Sequence, residues 1–337
     1  MREKNYWQVA TGSAGRDYTE LCLEFGVAFV GKDEDRRRME EELRVGDFVI
    51  LKHGVKKIGA VGKVVEIDNQ HMEVKTDWLQ DLDGWHAEAC CYVDWKRPNE
   101  DQSFTINGLT RSSFQKTFKP EIIKAAEKIW ETGKRSKIRS ESPPKPEPIS
   151  DDKLRNLITK NELIHENLID NFMKSFSHFQ GLANSYHKKQ WSGEIREHEA
   201  RSFLIVPFLL ALGWKEEQLK IELPLARRKR VDIACYNGEY QGSSKRDNCV
   251  AIIETKAFKS GLDYVYKQAF SYSEYFPNNK AVIVSNGYCF KVYEAKNQEK
   301  PCAYLNLIKP TERYPLDCEV GGALDAIKWL SPKNFAR

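Results

Sequence analysis

Arg230-Val-Asp232-Ile-Ala-Cys-Tyr236, followed by Val250-Ala-Ile-Ile-Glu254-Thr-Lys256, decides the fold of the second half of the chain. Each is a short apolar run that carries an acid, and each reads as a buried strand. Residues i and i+2 of a strand share a face, so Glu254 and Lys256 project side by side where theirs ends. Charges buried there are costly unless they are paired or used. An Asp on one strand and Glu-x-Lys on the next suit a metal-dependent phosphodiesterase. Two carboxylates hold a hard divalent cation, and the lysine orients or activates the attacking water.

The flanking segments give an α/β sandwich. Glu194 to Leu212 predicts a helix that becomes strongly apolar, kinked or interrupted at Pro207 and ended by Gly213. Ile221-Glu-Leu-Pro-Leu225 predicts a strand, and Tyr264 to Phe276 a helix with Gln268 and Tyr272 one turn apart. Lys280 to Gly287 and Cys289 to Glu294 predict two further strands.

Five elements in this order carry a resemblance: Glu197 to Trp214 (Glu-x-x-x-Arg-x-x-Leu-Ile-x-Pro-x-Leu-x-x-Leu-Gly-Trp), Arg230-x-Asp232, Glu254-x-Lys256, Gln268-x-x-x-Tyr272 and Val284-Ser-Asn-Gly287. The series resembles the PD-(D/E)xK nuclease superfamily, in particular the N-terminal nuclease domain of type I restriction motor subunits with the Gln-x-x-x-Tyr of the RecB-like branch. The resemblance implies a restriction-endonuclease-like α/β fold over residues 191–337. It also implies Asp232, Glu254 and the Thr255 carbonyl as ligands of Mg²⁺, with Mn²⁺ as a substitute. Lys256 would position the water and stabilise developing charge. Gln268 and Tyr272 would hold the edge of the site, unless they are ordinary helix-surface packing. The helix acid is Glu197 by its spacing to Arg201, with Glu199 the alternative. Arg227, Arg228 and Arg230 read either as a solvated turn or as contacts to a nucleic-acid backbone.

Residues 1–118 read as a separate β-rich domain. Asn5-Tyr-Trp-Gln-Val opens as a strand, Lys32 to Arg44 is an exposed charged helix, and Val45 to Lys52 and Ile58 to Ile67 are glycine-punctuated strands. The Tyr-Trp opening, Val45-Gly-Asp-Phe-Val49 and Gly59-Ala-Val-Gly-Lys-Val64 loosely resemble the PUA/EVE-like small barrels, which bind modified bases. That resemblance implies an aromatic pocket that stacks on a base. Trp7, Trp78, Trp85 and Trp95 are candidate walls, or else core residues of a small barrel. Asp77 and Asp83 lie beside them, to read a base edge or to cap a turn.

Residues 119–190 form the expected connection. Pro120 to Trp130 has helical spacing, Lys134 to Pro148 has a linker's composition, and Asp151 to His187 predicts amphipathic helices. The eight cysteines include no Cys-x-x-Cys and read as reduced and mostly buried. The net charge of +4 is mild, so any nucleic-acid argument rests on local clusters. The longest apolar run, Phe203 to Leu212, is about half a membrane span, so a cytoplasmic protein with no membrane partner is expected. No Walker loop is present, and no ATP site is expected.

Together the two halves suggest an endonuclease that reads a modified base in DNA with its first domain and cuts with its second. Cutting both strands would require a homodimer. The alternatives are a nuclease triggered by a nucleotide or RNA ligand of the first domain, and a non-catalytic nucleic-acid-binding scaffold.

Overall fold

The run that ends in Glu254-Thr-Lys256 lies inside a six-stranded mixed sheet. The computed structural model describes residues 4–10, 12, 15–99, 106–136, 143–189, 194–226, 229–242 and 245–336. Chain contacts divide it into two units, 1–143 and 144–337.

In the first unit the strands are β1 (Tyr6–Ala10), β2 (Val27–Val30), β3 (Phe48–His53), β4 (Lys57–Val64), β5 (Met72–Val74), β6 (Ala89–Arg97), β7 (Phe114–Lys116) and β8 (Lys134–Arg135). The helices are α1 (Thr19–Phe25), α2 (Asp33–Glu42) and α3 (Pro120–Thr132). The strands form one sheet in the order β2-β6-β4-β3-β1-β7, with β5 and β8 also paired to β6. It is a half-barrel: among the described residues β2 and β7 are its two ends. β1 and β3 pair in parallel, and the other pairs are antiparallel. The apolar stripe of α3 (Ile122, Ala126, Ile129) closes on Tyr6, Phe48, Ile50 and Val61. The region expected to connect two domains is therefore divided. α3 and β8 pack in the first unit, and the helices beyond residue 150 pack in the second.

The second unit contains α4 (Asp151–Lys160), α5 (Ile169–Lys188), α6 (Glu197–Ala200), α7 (Val206–Ala211), β9 (Leu219–Pro224), β10 (Arg230–Tyr236), β11 (Cys249–Thr255), α8 (Val265–Ser273), β12 (Ala281–Ser285), β13 (Cys289–Glu294), β14 (Ala303–Asn306) and α9 (Ala323–Leu330). The sheet order is β14-β13-β12-β11-β10-β9. Among the described strands only β11 and β12 pair with each other in parallel, and α8 makes the crossover between them. All seven residues of β11 are buried, as expected of a strand covered on both faces. Phe208 of α7 packs among Phe172, Phe176 and Phe179 of α5 and Phe290 of β13, which clamps the helix between α5 and the sheet.

Three features differ from expectation. β14 and α9 extend the fold beyond the five predicted strands. Lys134–Arg135, read as linker, pairs with β6. Pro207 does not break its helix. A π turn, Arg201–Ile205, precedes it, and the Val206 N–H reaches back to the Arg201 carbonyl. Proline cannot donate to the carbonyl one turn back and crowds it, and the widened turn makes room. Among the described residues no helix is long and apolar enough to cross a membrane. The eight cysteines are free thiols, six of them buried.

Candidate active site

Strand pairing brings the acids of the second unit together. Ile233 of β10 lies opposite Ile253 of β11, so Asp232 and Glu254 fall at the same end of neighbouring strands. Lys256 continues past β11, and its backbone N–H is held by the Ser285 carbonyl at 2.8 Å. α6 supplies Glu197, and α8 supplies Gln268 and Tyr272.

Glu254 is 4% exposed. Its Oε1 accepts from Lys256 Nζ at 2.9 Å and from Gln268 Nε2 at 2.7 Å. Its Oε2 is buried and accepts no hydrogen bond. Burial pushes the carboxyl up to about 7, helped by the Asp232 carboxylate and opposed by Lys256. Burial also pulls the Lys256 ammonium down, but the Glu254, Glu197 and Asp232 carboxylates outweigh it and leave the pKa raised. Lys256 therefore stays charged. Its Nζ also donates to the Thr255 carbonyl at 2.9 Å and lies 3.9 Å from Glu197 Oε2.

Both oxygens of Asp232 accept hydrogen bonds, three in all, which leaves one of the carboxylate's roughly four acceptor positions open. Oδ2 accepts from the Thr255 N–H at 2.7 Å and from Thr255 Oγ1 at 2.9 Å, and Oδ1 accepts from Arg201 Nη1 at 3.0 Å. Thr255 Oγ1 is also 3.2 Å from Glu197 Oε1, but its single hydrogen serves one acceptor at a time. Glu199 instead turns back to cap its own helix, accepting from the Arg196 N–H at 2.8 Å. Glu197 is thus the helix acid that faces the site. Gln268 Nε2 also donates to Tyr272 Oη at 2.8 Å, so its two N–H groups join Glu254 to Tyr272. Lys229 Nζ sits 5.6 Å from the centre of the Tyr272 ring.

Arg201 and Glu222 belong to the same cluster, although the motif reading gave neither a role. The Arg201 side chain is 8% exposed and also bonds Glu222 Oε1 at 2.9 Å. An arginine within an apolar helix must find carboxylates when buried, and that was the available signal. Arg230 is largely exposed and pairs with Glu222 at 3.5 Å. Arg227 and Arg228 lie outside the described residues. Gly287, in the turn after β12, has φ +98°, and a Cβ there would stand 3.1 Å from both Ala200 and Leu204. Its bare backbone lets α6 and the π turn approach the sheet.

Among the described residues no group of three or more Asp, Glu, His or Cys side chains is arranged to hold a metal. The donors at hand are the two carboxylates and the Thr255 carbonyl. A buried carboxylate oxygen without a donor, beside a second carboxylate, suits a hard cation that keeps several water or phosphate ligands. The residues fit Mg²⁺ on that count.

In the first unit the tryptophans separate. Trp7 and Trp95 were candidate walls, but both are fully buried core residues. Trp7 stacks on Phe114 at 4.7 Å, and its Nε1 donates to Asp47 at 3.2 Å. Trp95 Nε1 donates to the Val27 carbonyl at 3.2 Å. Inward-facing strand positions account for both. Trp78 is also buried, against Phe25. Trp85 is half-buried, stacked on Tyr18 at 5.8 Å and tilted against Phe29 at 5.9 Å. Asp83 is buried in the adjoining turn with φ +55°, and Asp77 opens a short 3₁₀ turn.

No curated protein and no solved structure matches the chain. Residues 196–308, about a third of the chain and all of the cluster from Glu197 to Tyr272, match the family described as the type I restriction enzyme R protein N terminus.

Proposed function

We propose that the second unit is a restriction-type nuclease that hydrolyses phosphodiester bonds in DNA with Mg²⁺, and that the first unit directs it to a modified base. The observation that carries the reading is the buried, unpartnered Glu254 Oε2 beside Asp232 and Lys256. Asp232, Glu254 and the Thr255 carbonyl would hold the ion. Bound there, Mg²⁺ would supply a Lewis acid for the phosphate and a more acidic water.

The chain's own residues have separable tasks. Lys256 keeps its proton, orients the attacking water and offsets charge that develops on the phosphate oxygens. Gln268 engages Glu254 Oε1, which leaves Oε2 as the free ligand atom. Thr255 fixes Asp232 Oδ2 through its N–H and hydroxyl. Arg230, which opens β10, and Lys229 just before it would contact the phosphate backbone. In the first unit, Trp85, the half-buried one of the four candidate tryptophans, would be the wall that meets a base. One site cuts one strand, so double-strand cleavage takes two copies.

The test is cleavage of matched plasmids, either unmodified, 5-methylcytosine-containing or hydroxymethylated, with Mg²⁺ or with EDTA. Mg²⁺-dependent cutting of one modified DNA alone supports both halves of the proposal. Equal cutting of all plasmids would refute the modified-base trigger, and no cutting of any would refute a nuclease directed by these bases and favour one triggered by a nucleotide or RNA ligand.

A further inference from the structure

Glu222 stands outside the pairing pattern of its own strand. The register pairs Ile221 with Ile233 and Leu223 with Val231, which places Glu222 across from Asp232. Its φ is +51°, in the left-handed region that a glutamate enters only at a cost. From there its carboxylate accepts from Arg201 Nη2 at 2.9 Å, while Arg201 Nη1 donates to Asp232 Oδ1 at 3.0 Å. The guanidinium therefore bridges two carboxylates, one nitrogen to each. A guanidinium is a rigid planar fork that can instead take both oxygens of a single carboxylate.

We propose that Glu222 is a positioning residue: by engaging one arm of Arg201 it keeps the guanidinium from closing on Asp232 with both arms, which leaves the Asp232 carboxylate able to bind a cation. The inference rests on the metal-dependent reading above. Without Glu222, the second nitrogen of Arg201 turns to the nearest acid, Asp232, and competes with the metal for its oxygens. The backbone supports this assignment. A glycine would adopt φ +51° freely, so a residue needed only for the local chain path would not be a glutamate.

The experiment is Mn²⁺ binding to the full chain by titration calorimetry for wild type, Glu222→Gln, Glu222→Gly and Lys256→Ala, with thermal melts of each. Mg²⁺-dependent plasmid cleavage is measured in parallel. Both Glu222 variants are expected to melt like wild type without metal. They should bind Mn²⁺ about 10–100-fold more weakly, as removal of an outer-shell partner typically does. Their cleavage rate should return to the wild-type value at saturating metal. Glu222→Gly separates positioning from backbone strain, and Glu222→Gln keeps the test intact if the glycine variant unfolds. Unchanged Mn²⁺ affinity in a variant that melts like wild type would overturn the role of Glu222, and failure of wild type to bind Mn²⁺ would overturn it as well. Lys256→Ala cutting as fast as wild type would instead overturn the nuclease reading, with the effect of Glu222 on metal binding still measured.

Discussion

Replacing Arg201 by methionine keeps the aliphatic stem and removes the guanidinium that bridges Asp232 and Glu222. The Arg201 and Asp232 side chains are 8% and 15% exposed, so the loss leaves a carboxylate largely cut off from water. Breaking a buried ion pair by removing one partner typically costs 3–5 kcal/mol. Two features reduce that here. Asp232 keeps both of its Thr255 bonds, and Glu222 is half exposed and can be hydrated. About 2–3 kcal/mol remains, which for a unit of this size lowers the melting temperature by about 5–10 °C. The assay is thermal unfolding in EDTA, followed by far-UV circular dichroism. Arg201→Lys should recover only part of the loss, because one ammonium cannot hold two carboxylates in a fixed fork. A drop of less than about 2 °C for Arg201→Met would refute the reasoning, since the bridge would then contribute no more than a surface pair.

Gly287→Ala should destabilise the second unit by about 2–4 kcal/mol, combining left-handed strain with a Cβ pressed against Ala200 and Leu204. Chemical denaturation checks it, and a neutral result would mean that α6 yields easily. Trp7→Ala should cost the first unit about 3–5 kcal/mol, and Trp85→Ala much less. If the first unit reads a base, Trp85→Ala should also abolish discrimination between modified and plain DNA while a preference-free cleavage survives. The Glu254 carboxyl lies at about 7 in the fold against an ordinary 4.5. A raised carboxyl favours folding while it is protonated, so this contribution is full below pH 4.5 and is lost as pH rises through 7. Metal-free wild type should therefore lose about 3 kcal/mol over that window relative to Glu254→Gln. Denaturant titrations at several pH values measure it, and parallel pH profiles for the two proteins would contradict it.

The second unit was legible where charge interrupts apolar periodicity. A strand's period of two placed Glu254 and Lys256 on one face, and helical spacing placed Gln268 one turn from Tyr272. The bond from Gln268 to Tyr272 follows from that spacing, whereas its bond to Glu254 depends on how α8 docks on the sheet. Glu222 was not legible, because a positive φ at a glutamate leaves no mark on sequence. Nor was the π turn, since a proline after an apolar helical run signals a disturbance without specifying its form. In the first unit, alternation gave the strands but not which tryptophans face inward. Trp7 and Trp95 are core, whereas Trp85 is half-buried, its ring laid against Gly31, where a Cβ would fall 1.7 Å from it. The division of residues 119–190 was hidden for a similar reason. Amphipathic helices show that they pack, but not on which unit.

The most direct test of the central claim is plasmid cleavage by wild type and by Lys256→Ala at saturating Mg²⁺, with equal folding of the two proteins verified by their melting curves. The account predicts Mg²⁺-dependent cleavage by wild type, abolished by EDTA, and a loss of at least about 100-fold in Lys256→Ala. Cleavage that persists in Lys256→Ala, or that proceeds in EDTA, would contradict it.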